Sequence, residues 1–140
     1  MFKKPSDLAR AALELLKLAD LTEPRTALEL SAAILANHVF EWHCRHTRTK
    51  RKDAQHDFEQ KHPEWPTLRE IANGTKHPYP GKVDVSEANL REPEWEDHDF
   101  WHATPDRPTL FVGVNGRERS IYVMTYQFCH RYLDGMRVTV

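Results

Sequence analysis

Arg69, Asn73 and His77 recur at four-residue intervals in Arg69-Glu-Ile-Ala-Asn-Gly-Thr-Lys-His77, directly before Pro78. On a helix, that interval places side chains on one side on successive turns, with Lys76 beside His77. Arg69 can hold a phosphate through paired hydrogen bonds, Asn73 can orient a ligand or a water, and His77 can exchange a proton near neutral pH. The set fits metal-independent cleavage of an RNA phosphodiester, with Arg69, Asn73 and His77 as the catalytic group. His77 would act as acid or base while Arg69 stabilises the developing phosphoryl charge. A structural role fits the same residues and is the leading expectation. Asn73-Gly74 can form a helix-ending turn, Lys76 and His77 suit the negative end of a helix, and Arg69 suits a surface ion pair.

A second constellation lies upstream in His38, Trp42, His43, Arg45 and His46. His38 shares a helical face with Ile34 and Trp42, and a bundle can bring His38 or His43 towards His77 as a nitrogen-rich metal site. The spacing matches neither HExxH nor the paired Glu-x-x-His of di-iron bundles, so a core histidine bonded to a carbonyl or a water is the plainer expectation. No cofactor is called for.

Arg45 and His46 open a basic run that continues through Arg48, Lys50, Arg51 and Lys52, whereas residues 84–99 are mostly acidic. With Lys76, Arg45 and His46 are the candidate substrate-binding residues, able to meet the phosphates of RNA; solvated helix ends and intrachain charge pairing are the plainer expectation for the pattern. His98 and His102 flank Phe100-Trp101, and Trp65, Trp95 and Trp101 can stack on a base or anchor loops to the core.

The elements that must position these residues are mainly helices. Ser6 or Asp7 can cap a helix from about Leu8, with Leu8, Ala12, Leu15 and Ala19 as its apolar stripe. Pro24 introduces a second helix running from about Arg25 to Arg48, with Leu28, Ala32, Leu35, Val39 and Trp42 as its main stripe, and this is the expected central helix. Residues 50–61 continue it or form another helix. Trp65-Pro66-Thr67 starts the helix bearing Arg69, with Trp65 pushed out of the helical region by Pro66, and Pro78 stops it. Phe100-Trp101 suits a short strand. Thr109–Val114, Asn115-Gly116 and Arg117–Ile121 spell a β-hairpin, and a last helix covers about Tyr122–Leu133 before Asp134-Gly135. The expected fold is mainly α: a single helical-bundle domain carrying a small antiparallel hairpin before its final helix.

A chain of 140 residues with 39% hydrophobic residues can bury one substantial core. The formal charge of −1 gives no global attraction to nucleic acid, which leaves only local patches. No apolar run reaches the length that spans a bilayer, and the N-terminus lacks a secretory h-region, so a cytoplasmic location without membrane contact is expected. Cys44 and Cys129 are then expected as reduced packing residues.

Ser31-Ala-Ala-Ile-Leu-Ala-Asn-His38-Val-Phe-Glu-Trp42 and Leu68-Arg69-Glu-Ile-Ala-Asn73-Gly74-Thr75-Lys76-His77 resemble a group of uncharacterised bacterial and phage-associated helical proteins. Those proteins share an Ala-Asn-Gly-Ser/Thr-Lys-His segment, and the likeness spans roughly residues 25–134. A looser resemblance is to the HEPN superfamily, whose bundles include RNases with an Arg-x(4–6)-His motif. Here Arg69 and His77 enclose seven residues, outside that spacing. The HEPN-like resemblance implies a homodimer and RNA binding. Three function classes follow: a protein-interaction or structural module, taken first; an RNA-binding protein or ribonuclease; and a small-ligand or metal-binding bundle. Whether the chain is an enzyme is left open by the sequence.

Overall fold

The computed structural model describes residues 2–76, 83, 85–97 and 104–138. Six helices are present among them: α1 (Pro5–Leu21), α2 (Arg25–Asn37), α3 (Val39–Thr47), α4 (Arg51–Lys61), α5 (Trp65–Lys76) and α6 (Ile121–Val138). Three short strands, β1 (Asn89–Arg91), β2 (Thr109–Val114) and β3 (Arg117–Ser120), form an antiparallel sheet in the order β1-β2-β3, directly before α6. The fold is therefore helical in its main packing, with the small sheet placed where the hairpin signal put it. His77, His98, His102 and the expected Phe100-Trp101 strand lie outside the described residues.

Helix α1 begins at Pro5, earlier than expected, because Asp7 works from the third helical position. Its carboxylate accepts the backbone N–H groups of Lys3 and Lys4 at 2.9 and 3.1 Å. Leu8, Ala12, Leu16 and Ala19 then bury one face, against α2 and α6.

The expected long central helix is two helices. At His38 the ladder tightens to a bond from its N–H to the Leu35 carbonyl, and α3 begins at Val39. The buried face of α2 also differs from the leucine stripe. Glu29, Ala32, Ala33 and Ala36 are buried, while Leu28, Leu30 and Leu35 are only partly covered. Small alanines let α2 approach its neighbours closely. Glu29 is admitted because it is fully paired: Arg107 Nη1 donates to it at 2.7 Å and the Leu110 N–H at 3.0 Å. Arg107 also binds Asp20, and the Tyr122 hydroxyl donates to the other Asp20 oxygen, so this network ties α1, α2, β2 and α6.

The hairpin turns at Asn115 and Gly116, whose φ values of 52° and 77° suit a tight turn that follows the sheet twist. Ser120 ends β3 and caps α6, its Oγ accepting the Val123 N–H at 3.2 Å. That fixes the strand-to-helix boundary at Ile121. Helix α6 continues past Asp134-Gly135 to Val138, so those residues do not stop it. Strand β1 was not foreseen. It is held by register with β2, and the Arg91 guanidinium sits 3.6 Å from the centre of the Phe111 ring.

Helix α5 takes in Trp65 as its first residue, despite Pro66, and Trp65 is buried. Gly74 does not break it. Val85, in the turn at Val85–Glu87, lies where a β-carbon on Gly74 would come within 2.7 Å of its methyl, so the glycine is a close-approach residue.

Candidate functional site

Helix α3 ends at Arg48, which adopts the left-handed conformation with φ 56°. The Thr49 N–H bonds to the Cys44 carbonyl at 2.9 Å, and the Thr47 hydroxyl donates to the His43 carbonyl at 2.8 Å. The last carbonyls of α3 are thereby satisfied and the chain reverses within residues 48–50. Between the two helices opens a hollow of about 920 Å³, walled by Trp42, Arg45, Arg48, Lys50, Arg51 and Lys52, with Cys44 in its lining. Lys50, Arg51 and Lys52 crowd the N-terminal end of α4, where the helix dipole disfavours cations. Folding stability alone gives no reason for that placement.

Helix α4 holds this turn to the bundle through one buried residue, Phe58. Its ring meets Phe40 at 4.8 Å, His62 at 4.6 Å and Trp65 at 5.6 Å between centroids. Ala54 packs partly against the core beside it, and most of the rest of α4 is polar and exposed.

A second hollow, a cleft of about 380 Å³, lies between α5 and the α2–α3 joint. His38, Asn37, Arg69, Asn73 and Lys76 line it, so the joint and α5 bring together four residues the sequence singled out. Trp65 forms its floor, donating from Nε1 to the Asn37 carbonyl at 3.3 Å, and the Arg69 guanidinium lies 5.6 Å from the Trp65 ring centre. Among the described residues no carboxylate pairs with Arg69 or Lys76, so the expected ion pair of Arg69 is not found there.

A third hollow, of about 290 Å³, is lined by Lys3, Pro5, Trp42, Arg45 and His46. The three adjoin. Trp42 and Arg45 line both the first and the third; Glu41 and Arg51 line both the first and the second. Together they gather eight of the chain's 20 lysines and arginines with a single carboxylate, Glu41, itself paired to Arg51 at 3.1 Å. A chain of net charge −1 thus presents one strongly positive face.

His43 is placed elsewhere. Its Nδ1 lies 2.8 Å from the Tyr132 hydroxyl on α6, and its ring packs on Phe58. Burial, then the charge of neighbouring His46, lowers its pKa and keeps the ring neutral. His38 and His43 therefore serve different surroundings, and no three His, Cys, Asp or Glu side chains gather for a metal ion among the described residues. Burial raises the pKa of Cys44 and of Cys129, and both are free thiols, suited to packing.

The sequence missed Lys3 and Asn37 as lining residues. Lys3 carried a charge signal in the Lys3-Lys4 pair, but its position beside His46 depends on α1 packing against α3. Asn37 gave no signal, since the helix break beside it was not legible.

No protein-family model, no curated protein and no solved structure matches the chain. Among the described residues, no helix is long and apolar enough to cross a membrane.

Proposed function

We propose that this protein binds the phosphate backbone of a nucleic acid along the face formed by α3, the start of α4 and α5. One observation supports the reading above the others: three adjoining hollows hold eight cationic side chains and one carboxylate. Arginine and lysine at such density attract a polyanion by displacing its condensed counterions, and among the described residues only Arg51 of the eight has a carboxylate partner. Arg45, His46 and Lys76 contribute as contact residues, and Arg69 and Asn73 extend the face into the cleft.

Fluorescence anisotropy with a labelled RNA, and with DNA of the same sequence, tests this. Binding is expected to weaken about fiftyfold or more between 50 and 200 mM salt, for roughly four or more phosphate contacts. The triple reversal K50E/R51E/K52E is expected to abolish it. Equal binding by that variant, or indifference to salt, overturns the reading. The HEPN-like ribonuclease version adds His77, outside the described residues. Its signature is RNA cleavage that survives chelator and is lost in folded His77→Ala.

A protein-interaction module is the second reading, and exposure at the sheet edge favours it. Leu90 on β1 is 50% exposed and Trp95 is 88% exposed. A homodimer through this edge is expected to appear in sedimentation equilibrium and to dissociate on Leu90→Lys. A monomer at every concentration removes that reading.

A further inference from the structure

The two helix-borne tryptophans beside the basic face differ in what surrounds them. Trp65 is buried, packs against Phe40 and Phe58, and satisfies its indole N–H on Asn37. Trp42 is only partly buried, resting on the edge of the core. Among the described residues no aromatic ring stacks on it, whereas its neighbours Phe40 and His43 both have ring partners. Its position is specific: it stands on the ridge between the first and third hollows, with Arg45 beside it in both. Cations therefore flank it on either side, with Lys3 in one hollow and Arg48 and Lys50 in the other.

We infer that the ligand is single-stranded, and that Trp42 stacks on one of its unpaired bases. A strand crossing this ridge drops a phosphate into a basic hollow before and after the base that lies on the indole. A flat indole between cations suits a base of any identity, because every base offers a π-face. In a duplex those faces are already stacked on one another, so a duplex could use only the cations. The inference rests on the backbone-binding reading above and narrows it from a polyanion to an unpaired strand.

The experiment compares three probes at low salt: an oligothymidylate of about twelve nucleotides, an abasic deoxyribose-phosphate strand of equal length, and a blunt DNA duplex. The unaltered protein is expected to bind oligothymidylate about tenfold more tightly than the abasic strand, and more tightly than the duplex, with quenching of its tryptophan fluorescence. Trp42→Phe should keep most of that preference and lose most of the quenching. Trp42→Leu should bind the two single strands equally and retain the duplex. Equal binding of the base-bearing and abasic strands by the unaltered protein overturns the inference, however the variants fold, and so does preference for the duplex. If none of the three probes binds, the basic-face reading itself fails and takes this inference with it. If all three bind equally, only the stacking role is lost.

Discussion

Arg51 reaches back from the first turn of α4 to pair with Glu41 on α3 at 3.1 Å, and the two side chains form the wall shared by the α3–α4 hollow and the α5 cleft. Both are more than half exposed, so the pair contributes little to stability, at about 0–1 kcal/mol. Its larger effect is on charge. Glu41 occupies Arg51 and is the one carboxylate lining the three hollows. Glu41→Gln should leave the thermal midpoint nearly unchanged and tighten nucleic-acid binding a few-fold, with a salt dependence steeper by about one counterion. Anisotropy titrations at several salt concentrations read both quantities, and weaker binding would contradict the role given to Arg51.

Phe58 anchors α4. Phe58→Ala should cost about 3–5 kcal/mol in urea unfolding, since a buried aromatic ring is lost among Phe40, His62, Trp65 and Phe128. Amide exchange along α4 should accelerate more than along α1 or α2, because α4 has no other buried residue. Uniform acceleration across the chain would mean that α4 is not a separable unit.

His62 makes stability depend on pH. Its ring is buried against Phe58 and Phe128, and burial, reinforced by the charge of Arg131, lowers its pKa to about 4. The folded protein holds it neutral, whereas the unfolded chain protonates it near pH 6.5. Stability is therefore full above pH 6.5 and declines as the pH falls towards 4, by roughly 3 kcal/mol. His43, also lowered, acts in the same direction. His62→Leu should flatten the decline, most visibly between pH 6.5 and 5, before carboxylates titrate. An unchanged slope in denaturant midpoints would assign the effect to other groups.

Glu29 is the polar centre of the fold. Removing its side chain in Glu29→Ala strands the Leu110 N–H and one arm of Arg107, and should cost about 3–5 kcal/mol. Glu29→Gln keeps one acceptor oxygen, enough for one of the two donors, and should cost less than Glu29→Ala. The order of the two variants in urea midpoints is the check; equal losses would point to the charge rather than the hydrogen bonds.

What was legible in the sequence follows the range of the interactions involved. Asn115-Gly116 encodes its turn within four residues, and the hairpin lies where it was expected. The helices were readable from their periodicity, but their ends were not always. The break at His38 has no glycine or proline to announce it, and α6 passes Gly135 to reach Val138. Glu29 gave no signal in the sequence, because its partner, Arg107, lies 78 residues away. The basic run 45–52 was visible as charge. Its junction with Arg69 and Asn73 was not, because it depends on how the α3–α4 turn lies beside α5. His43 was read as a possible ligand, yet its bond to Tyr132 spans 89 residues.

The attachment of α4 through a single ring separates two kinds of information. Of its 11 residues only Phe58 is buried, with Ala54 partly covered against the core, and the exposed others can change sign, size or polarity while the bundle stays as it is. The basic turn is in effect a cassette, whose recognition properties can be exchanged between variants of this chain, or rewritten by design, without renegotiating the fold that carries it.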